Sequence, residues 1–116
     1  MTLVRELSKL DQFVLDFLEA LDQEKIQYVL VSGYVALLFG RSRGTEDVDL
    51  LIQPITESQL NKLWNRLQEF QCINADGPRA FYAYLSNHTT VRFARRDRFI
   101  PNMELSLLVQ NWSGTP

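Results

Sequence analysis

The chain has 116 residues, of which 46% are hydrophobic and 22% are charged, and this composition is ordinary for a globular protein. The length supports one hydrophobic core rather than two, so we predict a single domain over residues 1–116. The formal net charge of −2 gives no global basicity that would point to nucleic acid or to an anionic membrane, and the one cysteine excludes an intrachain disulfide.

The first half of the chain contains both helical and strand patterns. Apolar residues recur at helical spacing and predict a first helix over about residues 3–24. The β-rich run YVLV at 28–31 predicts a short strand, and the run YVALLF at 34–39, which a glycine stops, predicts a short helix. The run DVDLLI at 47–52 alternates and then becomes wholly apolar, which is typical of a central strand.

Another helix is predicted to begin after Thr56. Thr56 and Gln59 have the spacing of a capping box, and apolar residues continue at helical spacing to about residue 71. The segment DGPRAFYAYLSN at 76–87 is ambiguous, because its apolar spacing suits a short helix whereas its aromatic residues would also suit a strand. We favour the helix for this segment.

The rest of the chain is predicted to form a β-hairpin. The runs TTVRFARR at 89–96 and FIPNMELSLLV at 99–109 flank a polar turn at Asp97. The remaining tail, QNWSGTP at 110–116, has the composition of a frayed end.

The sequence also bears on the location of the protein. The longest stretch that reads as apolar, residues 28–39, has about 12 residues, whereas a membrane span needs roughly 20. The N-terminus is acidic and amphipathic, unlike a secretory signal peptide. We therefore predict a cytoplasmic protein that does not enter a membrane.

Two aspartates in the strand at 47–52 are the first candidates for a functional site. Asp47 and Asp49 are two positions apart, so their side chains point to the same face, with Cα atoms about 6.6–7 Å apart. Like charges this close disfavour each other's ionisation, and a divalent cation between them reverses that cost. Oxygen ligands of this kind suit a hard ion such as Mg²⁺, which commonly takes one or two carboxylates and completes its coordination with phosphate and water.

A second candidate lies upstream, at Ser32-Gly33. A strand that ends in small residues and leads into a helix presents free backbone N–H groups to an anion, and Gly33 permits a close approach. Arg41 and Arg43 lie between this cradle and the aspartates, where they would contact a triphosphate; alternatively, they are loop charges that pair with Glu46. A phosphate cradle followed by a carboxylate pair is typical of nucleoside-triphosphate chemistry.

These motifs resemble a known family. Ser32-Gly33 after a hydrophobic residue, a thirteen-residue spacer and the sequence DVDL at 47–50 resemble the signature of the DNA polymerase β-like nucleotidyltransferase superfamily. The segment SGYVALLFGRSRGTEDVDLLI is especially similar to the small (minimal) bacterial and archaeal nucleotidyltransferase domains, some of which serve in toxin–antitoxin systems. The similarity covers roughly residues 10–72, and it reaches about residue 109 if the later strands are included.

The resemblance implies a fold, an activity and a set of site residues. The fold would be α+β in two layers, with helices packed on one side of a mixed β-sheet. The activity would be metal-dependent transfer of a nucleoside monophosphate from an NTP to an acceptor hydroxyl, with release of pyrophosphate. Asp47 and Asp49 would bind Mg²⁺ or Mn²⁺, Ser32 and Gly33 would bind the NTP, and Glu104 is the candidate for a third catalytic and metal-binding carboxylate. Glu104 stands where the family more often has Asp, and Ser32 where it often has Gly.

The acceptor and the partners of the protein stay open at this point. The acceptor would be RNA, a protein or a small molecule, and either a homodimer or a partner protein is compatible with the sequence. The alternative to an enzyme is a catalytically weak or inactive module that acts with a partner protein, as in toxin–antitoxin pairs. Four arginines, Arg92, Arg95, Arg96 and Arg98, would hold an acidic or nucleic-acid acceptor, or they would protect the edge of an exposed hairpin.

Overall fold

The computed structural model describes residues 9–31 and 47–108. The helix expected at 34–39, the tail at 110–116 and the first part of the helix expected at 3–24 lie outside these residues. In chain order, the described elements are helix α1 (Lys9–Gln23), strands β1 (Tyr28–Leu30) and β2 (Asp47–Ile52), helix α2 (Glu57–Arg66), strand β3 (Phe70–Cys72), helix α3 (Pro78–Ser86), and strands β4 (Val91–Arg95) and β5 (Asn102–Leu107).

Helix α2 begins as its sequence predicts and ends earlier. The Thr56 hydroxyl accepts a hydrogen bond from the Gln59 backbone N–H at 3.1 Å, and the Gln59 side chain accepts one from the Thr56 N–H at 3.0 Å, so the capping box is formed. The helix ends at Arg66, and the extension to about residue 71 was wrong. Phe70 instead enters β3, where it pairs with Arg95 of β4.

The helical spacing of buried residues explains that error. Leu60, Leu63, Leu67 and Phe70 are all buried, and they keep a helical period across the point where the helix stops. A strand of three residues is too short to show its own alternation. Strand β3 forms because it pairs with β4, which is distant in the sequence, and local sequence patterns do not show such pairing.

The five strands of the described residues form one mixed sheet in the order β1-β2-β5-β4-β3. Strands β2 and β5 are parallel, and the other neighbouring pairs are antiparallel. The expected strand at β1, the central strand at β2, the helix at α3 and the hairpin of β4 and β5 are all confirmed. Since β4 lies between β5 and β3, it is an interior strand of the sheet.

One face of the sheet is covered by the three described helices. The sheet contributes alternate residues to a single core, including Val48 and Leu50 from β2, Phe93 from β4 and Met103 from β5. The helices contribute the other half of this core, with the fully buried residues Phe13, Phe17, Leu21, Leu60, Leu63, Phe81 and Leu85. The expected α+β fold, with helices packed on a mixed sheet, is therefore confirmed.

The opposite face, which we call the outer face, carries the remaining residues of each strand. Asp47, Asp49, Arg92, Glu104 and Ser106 alternate with core residues and so lie on this face. Most of its side chains are polar. Within the described ranges, no helix is long and apolar enough to span a membrane.

Candidate functional site

Strand β2 positions the two aspartates by simple alternation. Val48, Leu50 and Ile52 are fully buried in the core, so the intervening Asp47 and Asp49 are directed to the outer face, where both are exposed. The three buried aliphatic residues thus anchor the strand and hold the two carboxylates in fixed register. One face of β2 thus contributes to the core, and the other face carries the candidate site residues.

Strand β5 brings Glu104 to the same place. The parallel pairing sets Asp49 directly opposite Glu104 and Asp47 opposite Asn102. Met103 and Leu105 flank Glu104 and are fully buried, which directs the glutamate to the outer face. The structure therefore brings all three predicted carboxylates together on adjacent strands, and their roles stay predictions.

Arg92 is a further member of this cluster. It lies opposite Glu104 on β4, and its Nε is 3.4 Å from the Glu104 Oε2. The sequence grouped Arg92 with the other arginines of the hairpin and did not assign it to Glu104. The register of the hairpin decides this pairing, and the turn sequence left that register open.

The electrostatics of the cluster show how closely the carboxyl groups approach. Partial burial raises the pKa of the Glu104 carboxyl above its usual value, and a hydrogen bond with Asp49 raises it further. The charges of Asp47 and Asp49 act in the same direction, and the guanidinium of Arg92 opposes them. Glu104 and Asp49 thus lie within hydrogen-bond distance of each other, and their mutual repulsion disfavours ionisation of the glutamate.

The cluster suits a magnesium ion that takes two protein carboxylates, rather than one whose ligands all come from the protein. Among residues 9–31 and 47–108, no group of three or more His, Cys, Asp or Glu side chains has the arrangement to hold a metal ion. Mg²⁺ needs less than that, because it is commonly bound by one or two carboxylates while phosphate and water supply the other ligands. Asp47 and Asp49 would be such a pair, and Glu104 lies beside them, next to Asp49 and Arg92.

Asn102 is a second residue that the sequence did not single out. It lies opposite Asp47, between β2 and β4, and its Nδ2 donates to the Phe99 carbonyl at 3.4 Å. Its Oδ1 is buried and accepts no hydrogen bond from any residue that the structure describes. Buried polar oxygens usually have a partner, so this oxygen is an exception among the described residues.

The predicted phosphate-binding residues lie outside the described part of the chain. Ser32, Gly33, Arg41 and Arg43 all fall within residues 32–46. The chain enters this segment beside the carboxylates, because the Val31 N–H donates to the Asp49 carbonyl at 3.0 Å. The last described residue before Ser32 is thus a neighbour of Asp49 in the sheet.

Comparison with known proteins adds no family. The chain matches no protein-family model, no curated protein and no solved structure. The fold class is therefore established by the helices and the sheet themselves, and a function has to be argued from the carboxylate cluster.

Proposed function

We propose that the protein is a nucleotidyltransferase of the DNA polymerase β-like type, which transfers a nucleoside monophosphate from an NTP to an acceptor hydroxyl. The observation that carries the proposal is the juxtaposition of Asp47, Asp49 and Glu104 on the outer face of two adjacent parallel strands. Three carboxyl groups this close disfavour one another's ionisation, and Arg92 offsets part of this at Glu104. A bound cation would offset the remaining repulsion among the carboxylates.

Asp47 and Asp49 would hold Mg²⁺ or Mn²⁺, and they are exposed on the outer face where a triphosphate has access. When bound, the metal neutralises charge on the triphosphate and lowers the cost of in-line displacement at the α-phosphorus. Ser32 and Gly33 would bind the phosphates through backbone N–H groups, next to Val31 and its bond to Asp49. The acceptor stays open between RNA, protein and small molecules.

Glu104 is suited to handling a proton at this site. Partial burial and the hydrogen bond with Asp49 raise the pKa of its carboxyl above the usual value, which makes the carboxylate form a stronger base. In the proposed reaction, Glu104 accepts the proton of the acceptor hydroxyl as that oxygen attacks phosphorus. Arg92 lies 3.4 Å from Glu104 and stabilises the carboxylate form of the glutamate.

One observation favours a catalytically weak module that acts with a partner protein as the second candidate. Glu104 is engaged with Asp49 and Arg92, and the described residues show no ready three-carboxylate metal arrangement. Such a module would bind nucleotide or a partner without efficient transfer. Incubation with an NTP labelled at the α-phosphate separates the two candidates, because only the enzyme transfers the labelled nucleoside monophosphate to an acceptor and releases unlabelled pyrophosphate.

Thermal unfolding in the presence of each of the four NTPs, with and without divalent metal, tests the proposal directly. We expect stabilisation only when Mg²⁺ or Mn²⁺ is present, since the triphosphate and the aspartates otherwise repel. At a hundred times Kd, the stabilisation should be about 2.7 kcal/mol. Equal shifts in the presence of metal and of a chelator, or no shift with any NTP, would reject the two-aspartate site.

A further inference from the structure

The end of the sheet beyond β4 and β5 carries a basic cavity that the proposed chemistry does not use. The cavity has a volume of about 330 Å³ and lies between the start of α1 and the turn that connects β4 to β5. Four cationic side chains line it, together with Gln12, Phe13 and Pro101; the cationic residues are Lys9, Arg95, Arg96 and Arg98. In a chain of net charge −2, this is a strong local concentration of positive charge.

Protection of a sheet edge does not explain these arginines. Strand β4, which ends at Arg95, is paired on both sides, with β5 and with β3. Arg92 faces Glu104 across the outer face and belongs to the carboxylate cluster instead. The alternative that the hairpin exposes a charged edge is therefore wrong for this strand, because its edges are occupied.

Arg95 lines the cavity and is held in place by contacts with several residues of the fold. Its guanidinium carbon lies 5.7 Å from the centroid of the Phe13 ring and 5.3 Å from that of Phe70. Its terminal nitrogens approach Asp16 at 2.6 Å and Glu69 at 3.9 Å. The charge of Arg95 is therefore largely compensated within the fold, and Arg95 mainly shapes the cavity.

The other three cations have no carboxylate partner among the residues that the structure describes. Arg96 donates from Nε to the Gln68 carbonyl at 2.7 Å, which orients the guanidinium without neutralising it. Within residues 9–31 and 47–108, no carboxylate lies within ion-pair distance of Lys9, Arg96 or Arg98. Asp97 of the same turn is exposed. Guanidinium groups match phosphate oxygens in geometry, so the cavity suits a phosphate-bearing ligand.

An exposed aromatic ring lies beside the cavity. Phe99 is 69% exposed, and it stands in the turn between Arg98 and Pro101, both of which line the cavity. A basic groove next to an accessible ring is the combination by which proteins bind single-stranded nucleic acid.

We infer that this cavity binds single-stranded nucleic acid, with phosphate held by Lys9, Arg96 and Arg98 and a base stacked on Phe99. Pro101 lines the cavity and directly precedes Asn102, which pairs with Asp47. The cavity and the carboxylates thus lie at the same end of the sheet.

Binding of a fluorescein-labelled oligouridylate of about ten nucleotides, followed by anisotropy in EDTA without NTP, tests the inference. We expect salt-dependent binding, with a slope of log K against log salt of about −2 for three neutralised phosphates. Arg98→Gln should weaken binding several-fold and reduce the magnitude of the slope by about 0.7. Phe99→Ser should weaken binding by roughly fivefold or more without changing the slope.

Arg79→Gln is the matched control, since Arg79 is an exposed arginine on α3 and does not line the cavity. It removes the same charge and should bind the oligonucleotide like the parent protein. Arg96→Gln serves as a second cavity variant, with its melting temperature measured because it also loses the bond to Gln68. The assay contains EDTA and no NTP, so a failure of the nucleotidyltransferase proposal leaves this test intact.

Three results would overturn the inference. The first is no binding of the oligonucleotide at low salt. The second is an equal loss for Arg79→Gln and Arg98→Gln, which would indicate non-specific charge attraction. The third is tighter binding of a labelled oligoglutamate peptide than of the oligonucleotide, which would assign the cavity to an acidic protein partner.

Discussion

Replacement of Asp49 by asparagine separates a ligand-binding carboxylate from a structural one. Asp49→Asn keeps the size of the side chain and its capacity for a hydrogen bond with Glu104, and it removes one negative charge from the cluster. If the acids exist for metal and nucleotide, the metal-free variant should be at least as stable as the parent. Metal-dependent NTP binding and any nucleotide transfer should fall together.

The size of the stability change follows from the geometry of the strand. Side chains two positions apart on β2 have Cα atoms about 6.6–7 Å apart, and both aspartates are exposed. At the dielectric constant of water, two unit charges at that distance repel by about 0.6 kcal/mol. Loss of the Asp49 charge should thus raise the free energy of unfolding by less than about 1 kcal/mol, or the melting temperature by no more than about 4 °C.

Differential scanning fluorimetry and NTP binding, each measured with Mn²⁺ and with EDTA, provide the two readouts. Asp76→Asn is the control, because Asp76 is an exposed aspartate in the loop before α3, away from the cluster. A structural aspartate would behave in the opposite way, since the loss of a needed hydrogen-bonded carboxylate costs about 1–3 kcal/mol. A melting temperature several degrees lower with metal-dependent binding unchanged would refute the site.

Two further predictions concern stability. The hydrogen bond from Arg95 lowers the pKa of the Asp16 carboxyl, so the stability from this pair is fully present above the unfolded pKa of about 3.9 and is lost as pH falls through the lower folded value. Asp16→Asn should thus lower the free energy of unfolding by about 0.5–1 kcal/mol at pH 7. Urea unfolding at pH 7 and pH 3 should show a smaller difference between variant and parent in acid. A difference that is independent of pH would contradict the assignment. Thr56→Ala removes the capping box of α2 and should cost about 1 kcal/mol by the same urea assay, whereas Thr56→Ser should be nearly neutral; equal losses would show that the hydroxyl cap is not the source.

Local sequence was sufficient to predict structure wherever the interacting residues lie within a few positions of one another. The capping box of Thr56 and Gln59 depends on atoms three positions apart, so the start of α2 was predictable. The alternation in residues 47–52 states which side chains are buried in β2, and it placed Asp47 and Asp49 on one exposed face. The chemistry of two acids on one face, and hence the expectation of a cation, follows from that pattern alone.

The tertiary structure decided what depends on residues distant in the sequence. Strand β3 exists because Phe70 pairs with Arg95, and nothing in its three residues distinguishes it from the end of a helix. The parallel pairing of β2 with β5 sets Glu104 opposite Asp49, and the hairpin register sets Arg92 opposite Glu104. Register is set by how whole faces of the sheet bury their apolar residues, and a shift of one position would turn Glu104 into the core. The sequence alone thus identified the aspartate pair, whereas only the assembled sheet determined which carboxylate and which arginine lie beside it.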